Sequence, residues 1–160
     1  MHWQSDKNAA QMRRRPSSRL LVLSPDGRIL LFYFEHASGP LAGKSFWATP
    51  GGAVEPGENY ETAARRELRE EVNPLSHHMG AEIARRAFIM QMPDGEEVLA
   101  EEAYFLVRTG VTEPSKAGWT PLELEVMKKH KWWSRSDIAA TKETIYPADI
   151  LAILDMAKVA

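Results

Sequence analysis

From Arg19 the chain turns apolar. Leu20-Leu21-Val22-Leu23 reads as a strand, Ser24-Pro25-Asp26-Gly27 has turn chemistry, and Ile29 to Phe34 returns as a second strand. That second run is apolar throughout, so burial on both faces is expected. A mixed sheet covered by helices on both sides accounts for it and sets the fold class as α/β (α+β). A loop over His36 to Lys44 leads to a short strand, Phe46-Trp47-Ala48-Thr49. Asn59 to Val72 holds strong helix formers and no breaker, with Asn59 as the N-cap and Glu61 in the first turn. Ala64, Leu68 and Val72 form the stripe of that helix that can bury against a sheet, while Arg65 and Arg69 fall on the solvated side.

Beyond the helix, Leu75 to Gly80 reads as a loop carrying His77-His78, expected to be exposed. Ala87 to Met92 is a strand, with Met90 and Met92 on one face, and Pro93-Asp94-Gly95 a turn. Ala103 to Val107 belongs to the central sheet. Thr109 to Pro121, rich in Gly, Pro, Thr and Ser, is a long loop. Asp137-Ile138 suggests a short helical turn. Pro147, at an N1-like position, opens a last helix whose Ile150, Leu151, Ile153, Leu154 and Ala157 should pack on the sheet. Met1 to Ser18 is polar, with Arg13-Arg14-Arg15-Pro16 near its end, and reads as a mobile extension ahead of one domain over 19–157.

Candidate chemistry sits in the first helix. Glu67, Glu70 and Glu71 stand at i, i+3 and i+4, so at about 100° per residue they share one arc. Like charges at this spacing repel by a few tenths of a kcal/mol per pair. A hard divalent cation reverses that sign, because carboxylate oxygen is the donor that Mg²⁺ or Mn²⁺ prefers. The plainer alternative is a charged surface helix laced by Arg66 with Glu67 or Glu70. The spacing argues against it. Gly52, five residues, Glu58, seven residues, Arg66-Glu67-Leu68, one residue, Glu70-Glu71 is too detailed to be composition alone.

That pattern, led by Gly51-Gly52, resembles the signature of the Nudix hydrolases. It departs at its end, where Asn73 replaces the last glycine and Pro74 the final apolar residue. The resemblance implies a Nudix-like α/β/α sandwich with a catalytic loop and helix, and hydrolysis of a nucleoside diphosphate linked to another group. By the same resemblance the Gly52 carbonyl, Glu67 and Glu71 would hold Mg²⁺ or Mn²⁺, and Glu70 would do so directly or through water. Arg66 would orient the carboxylates, Glu58 would hold the loop against the helix, and Gly51 would be structural. The base would be Glu67 or a later carboxylate ahead of a tryptophan-bearing strand, with Glu123 the better candidate and Glu125 the rival. Glu96-Glu97 and Glu101-Glu102 read as solvated pairs, one of which could reach the metals if its strand runs past the helix. Trp47 would line the nucleotide pocket or sit in the core. Substrate choice would lie in Phe46, Trp47, the Thr109 to Pro121 loop, Arg19 and His36.

Composition narrows the partners. A chain of 160 residues with 44% hydrophobic and 26% charged residues suits one soluble globular domain. A net charge of −2 offers no general attraction to nucleic acid, which favours a small nucleotide over capped RNA. The absence of cysteine removes disulfides and thiolate chemistry and fits a cytoplasmic protein. It also disfavours a prenyl diphosphate isomerase, a branch of the resembled family that commonly uses a cysteine. No apolar run is long enough for a signal or a membrane span. A homodimer is compatible with the family. The main rival is a domain of this fold that senses a nucleotide without cleaving it, although such relatives usually lose a signature acid.

Overall fold

A computed structural model describes residues 12–36, 39–40, 42–72, 77–110, 120–121, 123 and 127–157. The strands are β1 (Arg14–Leu23), β2 (Ile29–Glu35), β3 (Ser45–Ala48), β4 (Gly51–Ala53), β5 (His77–Gln91), β6 (Glu97–Thr109), β7 (Met127–Trp133) and β8 (Ile145–Tyr146). Three helices accompany them among the described residues: α1 (Tyr60–Glu71), α2 (Arg135–Ala140) and α3 (Ile150–Met156). All eight strands join one mixed sheet in the order β5-β6-β1-β2-β3-β8, with β4 on β1 and β7 on β2. Strand β1 runs parallel to β6 along its whole length, whereas β4 pairs antiparallel with its middle at Ser17, Ser18 and Arg19, and β2 with its last residue, Leu23.

The apolar runs at 20–23 and 29–34 supply two cores because successive side chains point to opposite faces of the sheet. Leu20, Val22, Leu30 and Phe32 pack with Ala64, Leu68 and Val72 of α1. Leu21, Leu23, Ile29 and Leu31 pack on the other face with Ile150, Ile153 and Leu154 of α3. The expected helix cover on both sides is therefore present. The β1–β2 turn closes as its composition implies. Gly27 takes φ of 81° and donates to Ser24 O at 2.9 Å, while the Ser24 hydroxyl accepts from Arg28 N at 3.0 Å.

Several boundaries differ from expectation. Strand β1 starts at Arg14 rather than Arg19, and Arg14 to Ser18 pair in register with Leu99 to Ala103 of β6. These polar residues are sheet members because their hydroxyls find partners inside. Ser18 Oγ donates to Tyr60 O at 2.6 Å, and Ser17 Oγ accepts from Arg15 at 2.7 Å. Strand β5 begins at His77, within the expected loop, and runs to Gln91. It is an outer strand with one wet face, so its Glu82 and Arg85 pair in solvent at a register irregularity and hide its strand character. His78 is exposed, as expected.

At the other end, α3 begins at Ile150, not at Pro147. Tyr146 is still paired with Ala48 of β3, so the chain at Pro147 is only leaving the sheet. The Pro147 carbonyl instead accepts from Ile150 N at 3.1 Å in the entry turn. Trp47 is 3% exposed and belongs to the α3-side core, where its ring meets Trp133 edge-on at 5.2 Å. Of its two readings, pocket wall or core, the core one describes it.

Candidate active site

The glycine strand and α1 meet at one corner of the sheet. Gly51 has φ of 136°, and a Cβ there would lie 2.1 Å from Ser18 O of β1. Only glycine fits, for backbone conformation and for space. Gly52 is constrained differently: its Cβ would lie 2.6 Å from Glu67 Oε1. The two glycines thus let β4 close on β1 and leave room for an acid of α1. The helix begins where Asn59 Oδ1 accepts from Thr62 N and Thr62 Oγ1, both at 2.8 Å.

Arg66 ties loop to helix. Its Nε and Nη2 donate to the two oxygens of Glu58 at 2.8 and 3.0 Å, and Nη2 also donates to Ala53 O at 2.9 Å. Nη1 donates to Glu67 Oε1 at 2.8 Å and Glu70 Oε2 at 3.2 Å. These charge-assisted bonds hold the Glu58 carboxyl below its ordinary pKa and the Arg66 guanidinium above its own. Glu58 also receives the Glu55 N–H at 2.9 Å, which fixes the turn before the helix. Arg66→Ala leaves Glu67 buried without its cation, so a loss of about 3–5 kcal/mol in urea unfolding is expected.

Three acids converge beyond Arg66. Glu67 is 6% exposed and Glu71 2%, and one oxygen each from Glu67, Glu71 and Glu123 lie within 4.8 Å of one another. Gly51 N donates to Glu71 Oε2 at 2.9 Å, so the glycine strand positions this carboxyl directly. Burial raises the Glu67 pKa against the pull of Arg66. Burial, a hydrogen bond with Glu123 and the charge of Glu67 push Glu71 well above the usual carboxylate range. Glu123 stays low in spite of its own burial, because Glu71 and the Thr120 N–H at 2.8 Å hydrogen-bond its charged form.

Buried carboxylates this close are costly unless a cation or a proton compensates them. A hard divalent cation suits the donor set: all-oxygen, anionic, and already convergent. Glu70 stands apart from this group of oxygens, held by Arg66 with its side chain 38% exposed. Glu125, Asn73, Pro74 and residues 111–119 lie outside the described residues, so the helix exit and most of the long loop are not part of this description.

A second polar group lies on β1 and β6. Arg19 Nε donates to Glu102 Oε2 at 2.9 Å, and Tyr104 Oη donates to Glu102 Oε1 at 2.8 Å. Glu102, expected as a solvated acid, is 4% exposed. The available signal was strand alternation, which puts residue 102 on one face with Ala100 and Tyr104. Near β3, Phe46 stacks on Phe34 at 5.5 Å, meets Tyr146 edge-on at 5.2 Å and lies 5.9 Å from the His36 ring.

The comparisons with known proteins agree with this fold. The chain resembles the MutT protein of Methanosarcina mazei Go1, with 20% identity over 92% of this chain and 96% of that one, at a TM-score of 0.63. A MutT Nudix hydrolase from Burkholderia pseudomallei shares 22% identity over 88% and 96%, at 0.57. A Nudix hydrolase from Nitrosomonas europaea shares 16% over 91% and 89%, also at 0.57. At such identities the likeness shows the fold. No curated protein matches the chain. No helix among the described residues is long and apolar enough to cross a membrane. The family model for the NUDIX domain matches residues 13–152, most of the chain, and this chain therefore belongs to the Nudix family of pyrophosphohydrolases.

Proposed function

We propose that the protein hydrolyses the diphosphate bond of a small nucleotide, a nucleoside diphosphate linked to another group, in a reaction dependent on Mg²⁺ or Mn²⁺. The observation that carries this reading is the convergence of Glu67, Glu71 and Glu123 oxygens beside the glycine strand. Those three side chains, with the adjacent Gly52 backbone, are the groups that would hold the cation. When bound, it neutralises charge on the phosphoryl oxygens and acidifies the attacking water.

The chain's own residues do the remainder. Arg66 locks Glu67 in place and, through Glu58 and Ala53 O, fixes the loop that carries the glycines. A general base must accept the proton of the water that attacks phosphorus. Glu67 Oε1 is held in place by the hydrogen bond from Arg66. We assign the role of base to Glu123, which is half-buried and comes from a segment outside α1. Glu123→Gln should lower kcat by about 10²–10⁴-fold while leaving KM within a few-fold. Steady-state kinetics on the best substrate checks this; equal kcat for variant and parent assigns the base elsewhere.

The aromatic group of Phe34, Phe46 and Tyr146 offers flat apolar surface for a base, and Tyr146 is 52% exposed. The deciding experiment is a panel of nucleotide sugars, dinucleoside polyphosphates and nucleoside triphosphates, read by released phosphate or monophosphate with Mg²⁺ and with Mn²⁺. Turnover that stops with chelator is expected. Tight binding without turnover across the panel would instead indicate a sensing domain.

A further inference from the structure

Among the described arginines that are not exposed, Arg19, Arg66, Arg86 and Arg135 each pair with a carboxylate. Arg15 does not. It is half-buried, and its hydrogen bond runs from Nη1 to the Ser17 hydroxyl at 2.7 Å. Its chain neighbours Arg13 and Arg14 are exposed, yet each finds an acid, Glu96 and Glu101. A guanidinium carries five N–H donors, and no nitrogen of Arg15 is sealed from solvent without a partner, so the donors not spent on Ser17 are open to an incoming anion.

The location gives this cation without a carboxylate partner a meaning. Arg15, Ser17 and Arg19 alternate along β1 and share one face of the sheet. The same stretch is hydrogen-bonded to the glycine strand, with Ser17 opposite Ala53 and Arg19 opposite Gly51. Gly51 in turn holds Glu71. Arg15 thus projects from the strand that borders the acidic cluster, and Glu67 lies within its electrostatic reach. Ser17 is fully buried, so the group that anchors Nη1 is itself fixed. Arg19 cannot play the same part, because Glu102 already neutralises it.

We infer that Arg15, anchored by Ser17 on β1, binds a non-bridging phosphoryl oxygen of the diphosphate beside the Glu67, Glu71 and Glu123 cluster. The inference rests on the diphosphate-hydrolase reading above. The planar fork of arginine matches two phosphate oxygens at once, and lysine keeps the charge but loses that geometry. Arg15 is here a substrate-binding residue that positions phosphorus; it breaks no bond.

The test uses methylenediphosphonate, a diphosphate analogue with a bridge that water does not cleave. It is titrated calorimetrically with Mg²⁺ into the full chain, Arg15→Gln, Arg15→Lys and the neighbouring control Arg14→Gln. Arg15→Gln should weaken binding by roughly 10- to 100-fold, the loss of a charge-assisted hydrogen bond. Arg15→Lys should recover part of that loss, and Arg14→Gln should match the parent. The rise in melting temperature with Mg²⁺ alone should be the same in all four, which separates anion binding from folding. With the cleavable substrate, KM should rise more than kcat falls. If Arg15→Gln binds the analogue within about twofold of the parent, the inference is overturned and the hydrolase reading stands. If the parent shows neither the Mg²⁺-induced rise nor analogue binding, the hydrolase reading falls and this inference with it.

Discussion

Glu71→Gln should lose about two to three orders of magnitude in turnover and still fold. Glu71 is 2% exposed, and burial beside Glu123 and Glu67 pushes its pKa up, so this position disfavours a charge in the absence of a cation. An amide of the same shape removes the repulsion from Glu67 and keeps an oxygen for the Gly51 N–H. The melting temperature without metal should therefore be unchanged or higher. What the amide cannot supply is the negative oxygen that a divalent cation requires. Activity should vanish while stability does not, a combination that a merely structural carboxyl would not produce. Circular dichroism melts and kcat on the same preparation read both halves. A variant that keeps nearly full turnover removes Glu71 from the site.

The second large effect divides two adjacent glycines. Gly51→Ala should prevent stable folding, because the new methyl meets backbone, Ser18 O at 2.1 Å and Arg19 Cα at 2.9 Å, at a φ that L residues rarely adopt. Neither atom can move without parting β4 from β1. Gly52→Ala meets a side chain instead, Glu67 Oε1 at 2.6 Å. Glu67 can swing aside, at the expense of its place among the three acids. That variant should fold, with a loss of about 1–3 kcal/mol, and be nearly inactive. Soluble yield and denaturant melts separate the pair. The account predicts one failure of folding and one failure of chemistry; equal behaviour of the two variants contradicts the packing assigned to them.

The sheet-and-helix arrangement and the acidic helix could be read in advance because their signals are local. Apolar runs at 20–23 and 29–34 fill two cores, and Ala64, Leu68 and Val72 mark the buried stripe of α1. The spacing from Gly52 to Glu71 reflects contacts that close within one loop and one helix. What escaped depended on partners distant in sequence. Arg14 to Ser18 are polar and look like a tail, yet they are buried or paired by β6, by Tyr60 and by one another. Glu102 looks solvated until Arg19 and Tyr104, from β1 and from its own strand, enclose it. Strand β5 conceals itself because an outer strand with one wet face lacks a continuous apolar pattern. Pro147 suggested a helix start, but Tyr146 remains committed to the sheet.

The central claim is that Glu67, Glu71 and Glu123 form one divalent-cation site. Titration calorimetry of Mn²⁺ into the parent, Glu67→Gln, Glu71→Gln and Glu61→Gln tests it most directly, Glu61 being an exposed acid on the same helix. The account predicts saturable binding to the parent and to Glu61→Gln, weakened by about tenfold or more in the other two. Binding that is absent from the parent, or equally strong in all four proteins, would contradict it.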